Sequence, residues 1–125
     1  MEILYRSVVT SIGSLVEEML DENMFVFFCE DAPQELKDIC VCHEHAKRPR
    51  KNFKPGDSIC VGDQKFEILV VGQVAMKTFR EYGHFCVKIR KRDDLQDMML
   101  GDVLVACEDR PKFTEGLSIQ VVRPL

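Results

Sequence analysis

The chain has 125 residues, 46% of them apolar and 30% charged, with a net charge of -4. That length predicts a single domain over 1–125 with one modest core. The mild negative charge argues against general nucleic-acid binding, and no apolar stretch reaches the roughly 20 residues that span a bilayer.

Six cysteines are present. Cys29, Cys60, Cys86 and Cys107 sit in apolar runs, where a thiol packs as a small hydrophobe. Met1–Arg6 lacks the basic start and long apolar run of a secretory leader. Free thiols in a reducing cytoplasm are therefore expected.

Ile3–Ser11, rich in Ile, Val, Thr and Tyr, reads as the first strand. Ser14-Leu15-Val16-Glu17 has capping-box form and places Leu15, Met19 and Leu20 on one helical face. Met24–Cys29 is continuously apolar, as in a strand buried on both faces. Asp31-Ala32-Pro33 opens a second short helix, with proline in its first turn. Ile39–Glu44 is the third strand. Lys47–Lys54 is a basic loop, read as solvated, and Pro55-Gly56-Asp57 is a turn. Ser58–Val61 and Lys65–Val71 flank Gly62-Asp63, a compact hairpin signal. Val74–Tyr82 is a third helix stopped by a left-handed Gly83. Lys77 and Arg80 share one side of it, expected to face solvent. His84–Arg90 alternates Phe85, Val87 and Ile89 against His84, Cys86 and Lys88. Met98 and Met99 read as fillers of core gaps. Val103–Cys107 and Leu117–Val122 complete the strands, whose number and spacing predict a sandwich or small barrel. Glu115–Ile119 faintly echoes Gly56–Ile59; both are more simply turns running into strands than a repeat.

Two of the chain's three histidines fall in Cys40-Val41-Cys42-His43-Glu44-His45. Two thiols and two imidazoles are a zinc set by ligand type. Strand alternation opposes it: Cys40 and Cys42 would point one way, as an inward thiol pair, and His43 and His45 the other. The outward histidines, with His84 reaching them across the sheet, suit a phosphoryl carrier. Neutral imidazole is a competent nucleophile near neutral pH. A solvated His-x-His beside a charged loop is the plainer alternative.

Several blocks carry a resemblance. Met24-Phe25-Val26-Phe27-Phe28, Glu30–Leu36, Cys40–His45, Lys54-Pro55-Gly56-Asp57, Gly62–Phe66, Val71–Ala75 and Arg80–His84 together resemble the IIA component of the glucitol/sorbitol-type bacterial sugar phosphotransferase system. The blocks keep the family's order and similar spacing from near residue 3 to about residue 90; the C-terminal third matches more loosely. The resemblance implies a mainly β, small closed or nearly closed barrel with two or three short helices, cytoplasmic and without a cofactor. It implies that His43 accepts a phosphoryl group from phosphorylated HPr and passes it to a IIB component, which phosphorylates the sugar at a membrane IIC component. His45 and His84 match further positions of the family pattern, and supporting roles for them follow from imidazole chemistry. The acceptor nitrogen must be exposed to both partners. The chain departs from the family at Ala46, where glycine is common, and in the basic loop Lys47–Lys51 and the charged run Arg90–Asp94. These departures bear on the partners and the sugar. A regulatory homologue of the same fold that does not transfer is one alternative, and a zinc protein using Cys40, Cys42, His43 and His45 is another.

Overall fold

The computed structural model describes residues 1–125. In chain order the elements are β1 Glu2–Ile12, α1 Val16–Asp21, β2 Met24–Cys29, α2 Gln34–Lys37, β3 Cys40–His43, β4 Ser58–Val61, β5 Gln64–Val71, α3 Ala75–Tyr82, β6 Phe85–Ile89, β7 Asp102–Ala106 and β8 Ser118–Arg123. The strands close into a barrel in the order β1-β3-β2-β6-β7-β5-β4-β8. Closure leaves no sheet edge unpaired. Every strand expected from the sequence is present, with shifts of one or two residues at the ends. All six cysteines are free, and no helix is long and apolar enough to cross a membrane.

The ring maps onto itself when each strand number is advanced by four. The parallel pair β2/β3 becomes the parallel pair β6/β7, and the antiparallel pair β1/β3 becomes β5/β7. Local bonds repeat as well. Gly13 N–H donates to the Cys40 carbonyl as Gly72 N–H donates to Asp102, and Gly56 N–H donates to Ile68 as Gly116 N–H donates to Val9. Gly56 and Gly116 both hold left-handed backbone, φ 95° and 84°. Both Gly56–Ile59 and Glu115–Ile119 are turns running into strands, as expected, but their echo also marks equivalent positions in two related halves, so it is a repeat after all.

Two apolar clusters form. The barrel interior holds Phe25, Phe27, Phe66, Phe79 and Phe85 with Val41, Val87, Val103 and Val105 among others. Each buried ring contributes on the order of 2 kcal/mol by removal from water. A smaller outer cluster joins Val26, Phe28, Ala32, Cys40 and Cys42, with Leu36 of α2 packed on it. α1 and α2 begin without the side-chain caps that Ser14 and Asp31 suggested; Leu15 and Pro33 stand at the cap positions. α3 ends as expected on Gly83, at φ 61° and ψ 27°. Met98 and Met99 fill no core gap: both are exposed, Met99 by 69%.

Candidate functional site

Within β3 all four residues, Cys40–His43, are buried. The faces are the reverse of those expected. Val41 joins the barrel interior, while Cys40 and Cys42 lie in the outer cluster. His43 shares the face of Val41. Its ring lies near-parallel to Phe79 at 5.9 Å and edge-on to Phe27 at 5.5 Å. His43 is only 1% exposed, which overturns the expectation of an open acceptor nitrogen. His45 lies just past the strand end and is half-buried.

Both imidazoles are tied to the end of α3. The last carbonyls of a helix lack intrahelical partners. His43 Nε2–H donates to the Gly83 carbonyl at 2.8 Å, and His45 Nε2–H donates to the Arg80 carbonyl at 2.9 Å. The other nitrogens converge on β1. Tyr5 O–H lies 2.8 Å from His45 Nδ1 and 3.2 Å from His43 Nδ1. Ser7 Oγ is 2.7 Å from His43 Nδ1 and also meets the Glu44 carbonyl. The Glu44 carbonyl is itself 3.1 Å from Nδ1. Burial holds the His43 pKa below its ordinary 6.5, against the opposing pull of the Gly83 and Glu44 carbonyls. His43 is therefore neutral at pH 7, with one proton to share between two acceptor-rich ends. Burial also raises the Tyr5 phenol, so it remains a donor.

Gly83 permits this closeness. A Cβ there would lie 2.9 Å from His43 Nε2 and 3.2 Å from His45 Cγ. Arg80 fastens the same region from outside. Its guanidinium donates to Asn52 Oδ1 and to the Pro49 carbonyl, pinning the basic loop against α3. Arg80 was expected simply to face solvent. Tyr5, Ser7, Phe79 and Gly83 also belong to the site, and the sequence reading gave them no role in it.

His84 does not join. Its Nδ1–H donates to the Phe27 carbonyl at 2.9 Å and its ring lies tilted against Phe28 at 4.7 Å. Phe85, the next residue, is the one that enters the barrel. The zinc set is likewise divided, with Cys40 and Cys42 outside the barrel wall and His43 inside. Burial pushes the Cys40 thiol up to about 12. No group of three or more His, Cys, Asp or Glu is arranged to hold an ion.

Comparison with known proteins gives the family and the fold. The family described as the PTS system glucitol/sorbitol-specific IIA component matches residues 4–120. The glucitol/sorbitol-specific EIIA components of Shigella flexneri and of Escherichia coli K12 are each 30% identical over 88 residues, 70% of this chain and 71% of theirs. The crystal structure of a PTS system IIA component from Enterococcus faecalis V583 superposes with a TM-score of 0.82 at 25% identity, covering 92% of this chain and 97% of that one.

Proposed function

The chain belongs to the glucitol/sorbitol-specific IIA family of the sugar phosphotransferase system, and from that premise we propose that it carries the phosphoryl group on His43. It receives the group from phosphorylated HPr and passes it to a IIB component, which phosphorylates glucitol/sorbitol or a related polyol entering through a membrane IIC component. The family supports phosphotransfer in general. The observation that favours His43 is its setting: a neutral imidazole with each ring nitrogen held by a designated partner.

The two nitrogens are closed off differently. Nδ1 faces Tyr5, Ser7 and the Glu44 carbonyl within the wall formed by β1 and β3. Nε2 is covered by the Gly83 turn. We assign the nucleophile to Nε2. The ring proton then resides on Nδ1, where Ser7 Oγ and the Glu44 carbonyl accept it, and the Gly83 carbonyl swings aside. The Nε2 lone pair forms the new P–N bond as the P–N bond to the donor histidine breaks, in line. Transfer needs positioning and charge stabilisation, with little other covalent chemistry. His45 supports by holding Tyr5 and by hydrogen bonding to phosphoryl oxygens. The supporting role expected of His84 is confined to the outer face, where it holds the Phe27 carbonyl.

Incubation with phosphoenolpyruvate, enzyme I and HPr tests this reading. Acid-labile, base-stable label is expected on the wild type and on His45→Gln, slowed in the latter, and absent from His43→Gln. Nitrogen-15 NMR of the labelled protein reads out which ring nitrogen carries phosphorus. A second reading has one observation in its favour: His45 is the less buried imidazole and lines a surface hollow with Glu30, Asp31 and Glu81. It predicts the opposite outcome, label kept by His43→Gln and lost from His45→Gln. A labelled chain that passes nothing to any IIB component is a regulatory homologue.

A further inference from the structure

A cleft of about 770 Å³ opens between β1 and the loop after β3. Ile3 and Tyr5 contribute to its floor, and Arg6, Lys47, Arg48 and Arg50 to its rim. All four cations are exposed. Arg80, Arg90, Arg92, Arg110 and Arg123 each place the guanidinium on a carbonyl, an amide or a carboxylate. Arg6, Arg48 and Arg50 are the arginines whose guanidinium groups make no hydrogen bond or ion pair, and all three line this cleft. Lys47 is equally unpaired. The carboxylate at the cleft, Glu2, is already taken by Lys51 at 3.1 Å.

Arg6 lies on β1, and the loop that presents the other three is held in place. Arg50 N–H donates to the Leu4 carbonyl at 2.9 Å, Pro49 is buried, and Arg80 clamps Pro49 and Asn52. Four unpaired cations on a fixed rim are a local reversal of sign on a chain of net charge -4. The cleft adjoins the histidines through Tyr5, which is among its lining residues and whose buried hydroxyl contacts both imidazoles. On the far side of His45 the surface is acidic, with Glu30, Asp31, Glu44 and Glu81 around the hollow there.

We propose that this cleft docks the acidic face of one of the two transfer partners, a protein surface of clustered Asp and Glu around an apolar side chain. The partners then meet at the same nitrogen and differ in their flanking contacts, which are of opposite sign. This rests on the carrier reading above. Guanidinium forks match carboxylates, unpaired rim charges act chiefly through salt-dependent association rate, and the open apolar floor suits a side-chain anchor.

The test uses the full chain with Arg48→Glu and Arg50→Glu combined, and separately Arg48→Gln and Arg50→Gln combined. Both half-reactions are timed, labelling by phosphorylated HPr and onward transfer to the IIB component, across a range of salt. All substituted residues are exposed, so unchanged thermal melting is expected. Charge reversal should slow one half-reaction about tenfold or more at low salt, the neutral variant less so. The difference should shrink as the Debye length shortens, and the other half-reaction should stay within about twofold. Equal slowing of both halves, slowing that ignores salt, or no change in either would overturn the proposal while leaving the carrier reading intact. Unchanged rates with saturable binding of inorganic phosphate would assign the cleft to a small anion, and salt-sensitive self-association to a second copy; both overturn it. A wild-type chain that takes no label overturns both readings.

Discussion

Gly83→Ala separates backbone strain from the close approach to His43. A non-glycine residue in the left-handed region costs about 1–2 kcal/mol. The added methyl would also sit 2.9 Å from His43 Nε2 and 3.0 Å from Cε1. His43 cannot retreat, because Phe79 stacks on one face, Phe27 meets it edge-on and Ser7 closes the Nδ1 side. Overpacking of this kind costs about 1–3 kcal/mol, so the whole change is expected at about 2–5 kcal/mol. Gly116→Ala is the control: its φ is 84° but a Cβ there meets nothing within 4 Å, leaving the strain alone. Urea denaturation of the two variants measures the difference, with equal slopes confirming that stability alone has changed. Gly83→Ala should also lower the phosphoryl acceptance proposed for His43. Equal stability losses in the two variants would refute the reasoning, by showing that the imidazole yields freely.

Tyr5→Phe leaves a His45 nitrogen without its donor inside the site and should cost about 1–3 kcal/mol, read from the same denaturation curves. Because burial depresses the His43 pKa, the unfolded chain binds a proton that the folded one refuses. The stability contributed by His43 is thus full above about pH 6.5 and is lost as pH falls below it. The midpoint of wild type should drop between pH 7 and 5.5 more than that of His43→Gln; parallel profiles would refute a neutral buried His43. Lys88 pairs with buried Asp102 at 2.7 Å, so Lys88→Met strands a buried carboxylate and should cost about 3 kcal/mol. Lys51→Met, which breaks a more exposed pair with Glu2, should cost under about 1 kcal/mol.

The barrel was legible because its strands carry β-branched and aromatic runs bounded by Gly, Pro and Asp, and local turn chemistry fixed Gly83 and the Gly62 hairpin. The facing of β3 was not legible. Cys40–His43 is buried at every position, because α2 and Phe28 cover the outside of that strand as the core fills the inside. An uninterrupted buried run shows no alternation in polarity, so nothing local says which set points inward. His84 is a different case: the alternation of Phe85, Val87 and Ile89 already placed it on the opposite face from the core. Tyr5, Ser7 and Arg80 had no local signal, since each meets its histidine from 35 to 40 residues away. The two-fold relation between the halves survives in sequence as little more than the turn glycines, because those positions alone demand a particular residue. By strand register, the counterpart of His43 is Val105, so the histidine site exists in one half of the barrel only.

A buried nucleophile serves a carrier only if its cover lifts at small cost. The cover here is the end of a helix, and its hold on the imidazoles is two hydrogen bonds, to the Gly83 and Arg80 carbonyls. Each is worth about 0.5–1.5 kcal/mol net, so lifting the turn costs about 1–3 kcal/mol. That leaves about one molecule in six to about one in 160 open, and lowers the apparent acceptor reactivity by the same factor. The penalty is modest beside what alignment of the reacting groups contributes. Glycine at position 83 eases the motion, since it moves between left- and right-handed backbone without a steric barrier. Once Nε2 carries a phosphoryl group, the Gly83 carbonyl cannot return to it. On the proposed reading, the loaded and empty carriers therefore differ in shape at the end of α3, beside His45 and the loop that Arg80 clamps. A partner touching that surface meets two different proteins, and the burial that first counts against His43 becomes the means by which loading is displayed.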